Sequence, residues 1–194
     1  MALSRSRIIA ALVAALQDGE EEVRRSAAQA LERLEGPLQA EALIQALKTG
    51  DKVGKLQALH ALAEIPIPGR IGPLVQMLKD PEEDVRAVAA QVLGRIALPQ
   101  TIGPLVEALD DRSRSVRISA IEALGNFGDK RITQVLLTFL GGEDAETLEA
   151  TIEALGKIGD ERAQGELLRF LGDPRPSLRS KAALALGNLE LSDP

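Results

Sequence analysis

Leucine returns every 31 residues, at Leu16, Leu47, Leu78, Leu109, Leu140 and Leu171. Two further ladders keep the same step: Leu31, Leu62, Leu93, Leu124, Leu155, Leu186, and Leu12, Leu43, Leu74, Leu105, Leu136, Leu167. One unit is therefore written six times without a net insertion. A unit this short cannot bury its apolar face alone, so neighbours must stack and share a continuous core. Residues 1–194 then read as one array, with units at about 7–36, 37–67, 68–98, 99–129, 130–160 and 161–191.

The third unit shows how each copy should fold. Ile71, Leu74, Val75 and Leu78 have the spacing of an amphipathic helix, and Lys79-Asp80-Pro81 stops it. Val85, Ala89, Val92, Leu93 and Ile96 form a second apolar stripe. Each unit is thus a helical hairpin, with helix A near 70–79 and helix B near 82–96 in this copy. The predicted architecture is all-α, an α-solenoid of about twelve helices coiled into a right-handed superhelix.

Two sets of columns resemble functional motifs but read better as scaffold. Gly94, Gly125, Gly156 and Gly187 share one column near the end of helix B. Identical glycines in four units cannot all line one phosphate site, whereas a missing side chain lets the next hairpin sit close. Asp18, Asp80, Asp111 and Asp173 mark the A-to-B turn, and Arg24, Arg86, Arg117 and Arg179 follow six residues on. Units lacking the Asp (Thr49, Gly142) also lack the Arg (Lys55, Leu148), which predicts that the two types serve each other across the stack. Phe127, Phe139 and Phe170 fall on core-type columns and are expected to pack inside.

The string Asp80-Pro81-Glu82-Glu83-Asp84-Val85-Arg86, followed by Ala89-Ala90 and Val92-Leu93-Gly94-Arg95-Ile96, closely resembles the short HEAT-like repeat of the phycobilisome-lyase type. Ala123-Leu124-Gly125-Asn126-Phe127-Gly128-Asp129 and Ala154-Leu155-Gly156-Lys157-Ile158-Gly159-Asp160 repeat the pattern. The likeness covers roughly residues 7 to 190. Gly54 and Thr147 depart from it where other units carry Val, so helix B of units two and five is expected to start or rotate differently. The resemblance implies a solenoid whose B helices line a concave wall. It implies little about activity, because this repeat serves many unrelated ones.

On that wall, the helix B positions that the core does not claim run at i, i+4, i+8. They are Arg25, Gln29 and Arg33, then Leu56, His60 and Glu64, then Ala87, Gln91 and Arg95. Ile118, Glu122 and Asn126 follow, then Glu149, Glu153 and Lys157. Scaffold columns stay constant from unit to unit while this stripe varies freely, which marks it as the partner-binding face. Leu56 and Ile118 are its large apolar members, at positions expected to face solvent.

Composition narrows the function further. The net charge of −6 has the wrong sign for a surface that tracks phosphates, and Trp and Tyr are absent, so no nucleic acid partner is expected. Cysteine is absent and His60 is the sole histidine, so no metal, cofactor or recognisable nucleophile–base pair is expected. No apolar run approaches the roughly 20 residues that span a bilayer, and the N-terminus does not read as a signal peptide. The reading is a cytoplasmic, non-catalytic scaffold that binds a protein through its concave face. The alternative implied by the resemblance is a bilin lyase subunit or chromophore-handling chaperone. The chain is expected to be a monomer, with weak homodimerisation through the C-terminal unit as the other outcome.

Overall fold

The computed structural model describes residues 18–65, 69–142 and 144–189, together with positions 8, 11, 12, 14 and 15; side chains at 28, 29 and 31–39 lie outside the described set. Among the described residues the chain is helical with no strand, and consecutive helices pack into an α-solenoid. The helices are α1 Glu21–Thr49, α2 Lys52–Glu64, α3 Ile71–Gln76, α4 Glu83–Ile96 and α5 Ile102–Glu107. They continue with α6 Arg114–Gly125, α7 Thr133–Leu137, α8 Ala145–Ile158, α9 Gln164–Phe170 and α10 Pro176–Gly187.

From the third unit onward the hairpin follows the predicted plan. In unit three, α3 runs into a 3-10 turn at Met77–Lys79, and α4 begins after the Asp80 corner. Gly72-Pro73 and Gly103-Pro104 lie in the first turn of α3 and α5, where a missing backbone N–H costs no helical bond. In units three and four helix A stops where an Asp turns extended: Asp80 has ψ 145° and Asp111 has ψ 143°. The Asp80 carboxylate accepts from the Glu82 N–H at 3.0 Å, Asp111 from Ser113 at 2.8 Å and Asp173 from Arg175 at 2.9 Å. This local bond offers the backbone an alternative to continuing the helix.

Units two and five place that corner differently. Thr49 and Gly142 hold the Asp column, and the carboxylate is displaced by two residues to Asp51 and Asp144. Asp51 is the N-cap of α2, accepting from Gly54 N–H at 2.8 Å, and Asp144 caps α8, accepting from Thr147 N–H at 3.0 Å. Both helices nonetheless begin at the column where the others do, Lys52 and Ala145 matching Glu83, Arg114 and Pro176, so the expectation that they start differently is corrected: what changes is the capping scheme.

The first joint departs from the hairpin plan. Helix α1 runs unbroken through the boundary expected at 36/37, so helix B of the first unit and helix A of the second are one 29-residue helix. The reason lies in the residue after helix B. Unit three leaves α4 through Ala97 at φ 50°, unit four turns at Gly128 with φ 61°, and unit five leaves α8 through Gly159 at φ 70°. That column holds Glu35 in unit one. Left-handed geometry is unfavourable for most side chains, so the helix continues instead. Unit two has Pro66 in the column, and there Arg70 closes α2 by donating to the carbonyls of Leu62 at 3.0 Å, Ala63 at 3.1 Å and Ile65.

The ladders form the core. Leu62, Leu93, Leu124 and Leu155 are fully buried, as are Leu74, Leu105, Leu136 and Leu167. Leu47, Leu78, Leu109 and Leu140 are buried too, but Leu171 in the last unit is 41% exposed. Leu16 and the Leu31 side chain lie outside the described residues. Phe127, Phe139 and Phe170 are half-buried against this core, in line with a packing role.

Candidate partner-binding face

Close approach of successive B helices is what presents a rigid row of side chains. A Cβ placed on Gly94 would lie 2.5 Å from Ala123 Cα; on Gly125, 2.8 Å from Ala154 Cα; on Gly156, 2.7 Å from Ala185 Cα. At these three positions the glycine column is a set of backbone contacts, each glycine seated on an alanine of the next unit, while Gly187 has open space around it.

A polar pillar spans two of the joints, between units two and three and between units three and four. Arg86, only 4% exposed, donates from Nε and Nη2 to both oxygens of Asp111 in the next unit at 2.8 and 2.9 Å. Its Nη1 donates to the carbonyl of Asp80 at 2.8 Å, inside its own turn. Arg24, Arg117 and Arg179 make the same bond to the carbonyls of Asp18, Asp111 and Asp173. The six-residue spacing thus serves the backbone, whereas the carboxylate partner stands 25 residues away. Lys55 substitutes for arginine and reaches Asp80 at 2.6 Å, so unit two keeps the pillar that its sequence was expected to lack. Burial by itself would raise the Asp111 carboxyl, but the Arg86 bond and the Ser113 N–H outweigh it and hold it below the ordinary value. The Asp111 bond in turn pushes the Arg86 guanidinium up.

Asp160 closes unit five onto its own helix A at the exit toward unit six. Thr133 Oγ1 donates to it at 2.7 Å, and Arg162 Nε donates at 2.8 Å. The Arg162 side chain chiefly, with its N–H and Thr133, lowers the buried carboxyl to about 2. Asp129, Asp144 and Asp173 are shifted downward as well, by Arg131, Thr147 and Arg175 respectively. These carboxylates are held as anions at turns and joints, the opposite of the raised carboxyl that proton donation requires.

The stripe expected to bind a partner lies on the B helices with uneven exposure. Arg25, His60, Glu64, Gln91, Arg95, Glu122, Asn126, Glu153 and Lys157 are exposed. Ala87 is buried, and Leu56 and Ile118 are half-buried against the core rather than facing solvent. Glu149 is half-buried, and the side chains of Gln29 and Arg33 lie outside the described residues. The polar members join across units: Arg95 pairs with Glu64 at 3.0 Å, and Lys157 donates to Asn126 Oδ1 at 3.0 Å. Gln91 donates to Ser119 at 3.3 Å. Ile118, Glu122, Glu146, Glu149 and Glu153 edge a shallow groove of about 270 Å³, with Lys181 reaching Glu153 across it.

Ser119 and Lys181 belong to a neighbouring column that reads Ser26, Gln57, Val88, Ser119, Ala150 and Lys181. Its own variation from unit to unit was the signal that it shares the face. Among the described residues no three His, Asp or Glu are grouped to hold a metal, and no helix is long and apolar enough to cross a membrane.

Stacked hairpins with a constant core and a variable helix face define an α-solenoid repeat protein. The family model for HEAT repeats matches residues 2–63, 71–147 and 133–194. The chain belongs to the HEAT-repeat family. No curated protein matches it significantly. Among solved structures, it is similar to the complex of CpcE and CpcF of phycocyanin lyase from Nostoc sp. PCC7120, at 24% identity and a TM-score of 0.70. That match covers 78% of this chain and 65% of the other, so the chain spans just under two thirds of that relative's length. It is also similar to a designed armadillo repeat protein in complex with the peptide (KR)4, with 19% identity, TM-score 0.61, and 97% and 100% of the two chains covered. The E. coli protein YibA matches at 24% identity and TM-score 0.59, over 96% of this chain and 71% of that one. At these identities the likenesses establish the fold.

Proposed function

We propose that the chain is a non-catalytic scaffold whose B-helix face, on the concave side of the solenoid, binds a segment of a partner protein. The observation that carries this reading is the contrast between columns. Glycine, leucine and Asp–Arg columns recur because they hold the joints, while the exposed stripe changes from unit to unit. Rigid presentation of varied polar side chains lowers the ordering cost of binding. The stripe carries both signs, Arg95 and Lys157 against Glu64, Glu122 and Glu153, which suits protein recognition more than a polyanion. The designed armadillo neighbour with its (KR)4 peptide supports peptide binding as a use of this architecture.

The test is affinity capture with the wild-type chain and with Glu122→Lys/Glu153→Lys, both verified as folded by circular dichroism. A protein captured by the first and lost by the second is the expected result. Reproducible failure to capture any protein, or capture indifferent to the stripe, overturns the reading.

A bilin-related role is the second reading, favoured by the fold likeness to the CpcE–CpcF complex. The three phenylalanines are engaged with the core, which leaves few aromatic groups to clasp a tetrapyrrole. Recording the absorbance of a bilin with and without the protein decides it, an unchanged spectrum arguing against.

A further inference from the structure

The 31-residue period exposes a gap on the A-helix side of the solenoid. One position of helix A reads Ala15, Ala46, Met77, Ala108, Phe139 and Phe170 along the array. Met77 is buried, and Phe139 and Phe170 are half-buried against the core. Large side chains thus hold this column at the joint between units two and three and at the joint between units four and five. Between units three and four the column offers only the methyl group of Ala108. A groove of about 320 Å³ remains there, between α3 with its 3-10 turn and α5.

Its floor is apolar, with Val75 and Leu78 from unit three and Pro104 and Ala108 from unit four. Leu78 and Ala108 are each 7% exposed and belong to the core, so the floor is continuous with it. An apolar cavity of roughly 150 Å³ already holds benzene, so this groove has room for an aromatic side chain. Phe139, one period on, shows the kind of group that suits the column. The rim carries opposite charges: Lys79 of unit three and Glu107 of unit four face each other at 3.6 Å, both well exposed. A surface pair of this kind is weak and parts at little cost. Asp111, at one end of the groove, is already bound by Arg86 and presents no unanswered charge. An entering segment therefore meets a cation on one side and an anion on the other.

We propose that this groove docks one aromatic side chain of a partner protein, carried on a segment with an acidic residue on one side of the ring and a basic residue on the other. The acidic residue faces Lys79 and the basic one faces Glu107, replacing the ion pair those two make with each other. None of the groove's residues belongs to the B-helix stripe, so this is a second site and stands whether or not the first does.

The chain contains no Trp and no Tyr, so the emission of a tryptophan peptide is read without interference. The probe is a short glycine-rich peptide in which Glu and Lys flank a single Trp, titrated with the full chain. Its emission is expected to move to the blue and saturate as the indole leaves water. Ala108→Phe fills the groove from within, as Phe139 fills its own column position. It should weaken binding roughly tenfold or more, the equivalent of about one buried aromatic side chain, with the circular dichroism unchanged. Lys79→Glu leaves the core untouched and decides the matter if Ala108→Phe fails to fold. Both rims then become acidic, and preference should pass to a peptide with Lys on both sides of the Trp. Emission that never shifts, even at millimolar protein, overturns the proposal. So does binding that a folded Ala108→Phe leaves unaltered, or a peptide preference that Lys79→Glu does not move. Free indole binding as tightly as the peptide would mark a small-molecule site and overturn it as well.

Discussion

The joint between units three and four and the joint between units one and two obey the same 31-residue period and are built in different ways. At the former, Ala97 adopts left-handed geometry, Asp80 turns the chain, Gly94 lets the B helices touch, and Arg86 ties down Asp111. At the latter, Glu35 and Thr49 occupy the corresponding columns, and α1 passes straight through. The apolar period makes units stack. The residues at the corners decide whether a stack is made of hairpins or of a fused helix.

The largest expected effect comes from removing the carboxylate that the third joint has and the first lacks. Asp111→Ala leaves the buried Arg86 guanidinium without its anion and should cost about 3–5 kcal/mol in urea unfolding. Thr49→Asp, which offers Arg24 an equivalent partner at the first joint, should shift stability by less than about 1 kcal/mol because that corner is exposed. Equal effects at the two sites would show that the pillar does not bear on the joint.

Steric closeness comes next. Gly94→Ala forces apart two helices already in backbone contact and should cost roughly 1–3 kcal/mol. Gly187→Ala, in the same column with open space around it, should be neutral or slightly stabilising through its helix propensity. A thermal melt of both variants makes the comparison, and similar losses would mean that the glycines act through conformation and not through contact.

These contrasts bear on what a reader of the sequence can and cannot see. The ladders were legible because leucine recurs at one position of every copy, and the burial of Leu62, Leu93, Leu124 and Leu155 bears this out. The glycine column was legible for the same reason. The fused α1 was not, because Leu31 and Leu43 keep their period whether or not the chain turns between them. That outcome hangs on one unfavourable residue, Glu35, in the corner column. The Arg-to-Asp link was visible as a co-occurrence, but its geometry was not: a guanidinium reaches its own turn by one arm and the next unit by another. Lys55 escaped notice because a different residue type fills the role. On the B-helix face, the stripe could be placed by its i, i+4, i+8 step, but not its exposure. Leu56, Ala87 and Ile118 share the first column of the stripe, which borders the core.

Acid separates the two halves of the array by a smaller amount. Asp160 ties the exit of unit five to Thr133 on its own helix A and accepts from Arg162 at the start of unit six, and its column holds Gly36 in unit one. Its folded carboxyl is held at about 2, below the ordinary 3.8, so its stabilisation is fully present above about pH 4 and is lost as pH falls toward 2. The loss should be about 1–2 kcal/mol, since Arg162, the main cause, is half exposed. Asp160→Asn should be less stable at neutral pH and should flatten the pH dependence in that window. An unchanged slope between pH 4 and 2 would remove Asp160 from the account.

The smallest effect probes the corner itself. Ala97 occupies left-handed geometry at φ 50° where Gly128 and Gly159 serve in later units. That geometry costs an alanine about 1–2 kcal/mol. Ala97→Gly removes the cost but loosens the unfolded chain by about 0.5–1 kcal/mol, so a net gain of a few tenths of a kcal/mol, up to about 1, is expected. Gly159→Ala runs the exchange backwards at φ 70° and should lose a similar amount. The two substitutions form a matched pair, because the helices they end, α4 and α8, have the same length of 14 residues. Opposite signs in paired chemical denaturation would establish that left-handed closure of helix B is what keeps the later units as hairpins. If Ala97→Gly instead destabilises the protein, the corner is held by its neighbours and the fused α1 requires a cause other than Glu35.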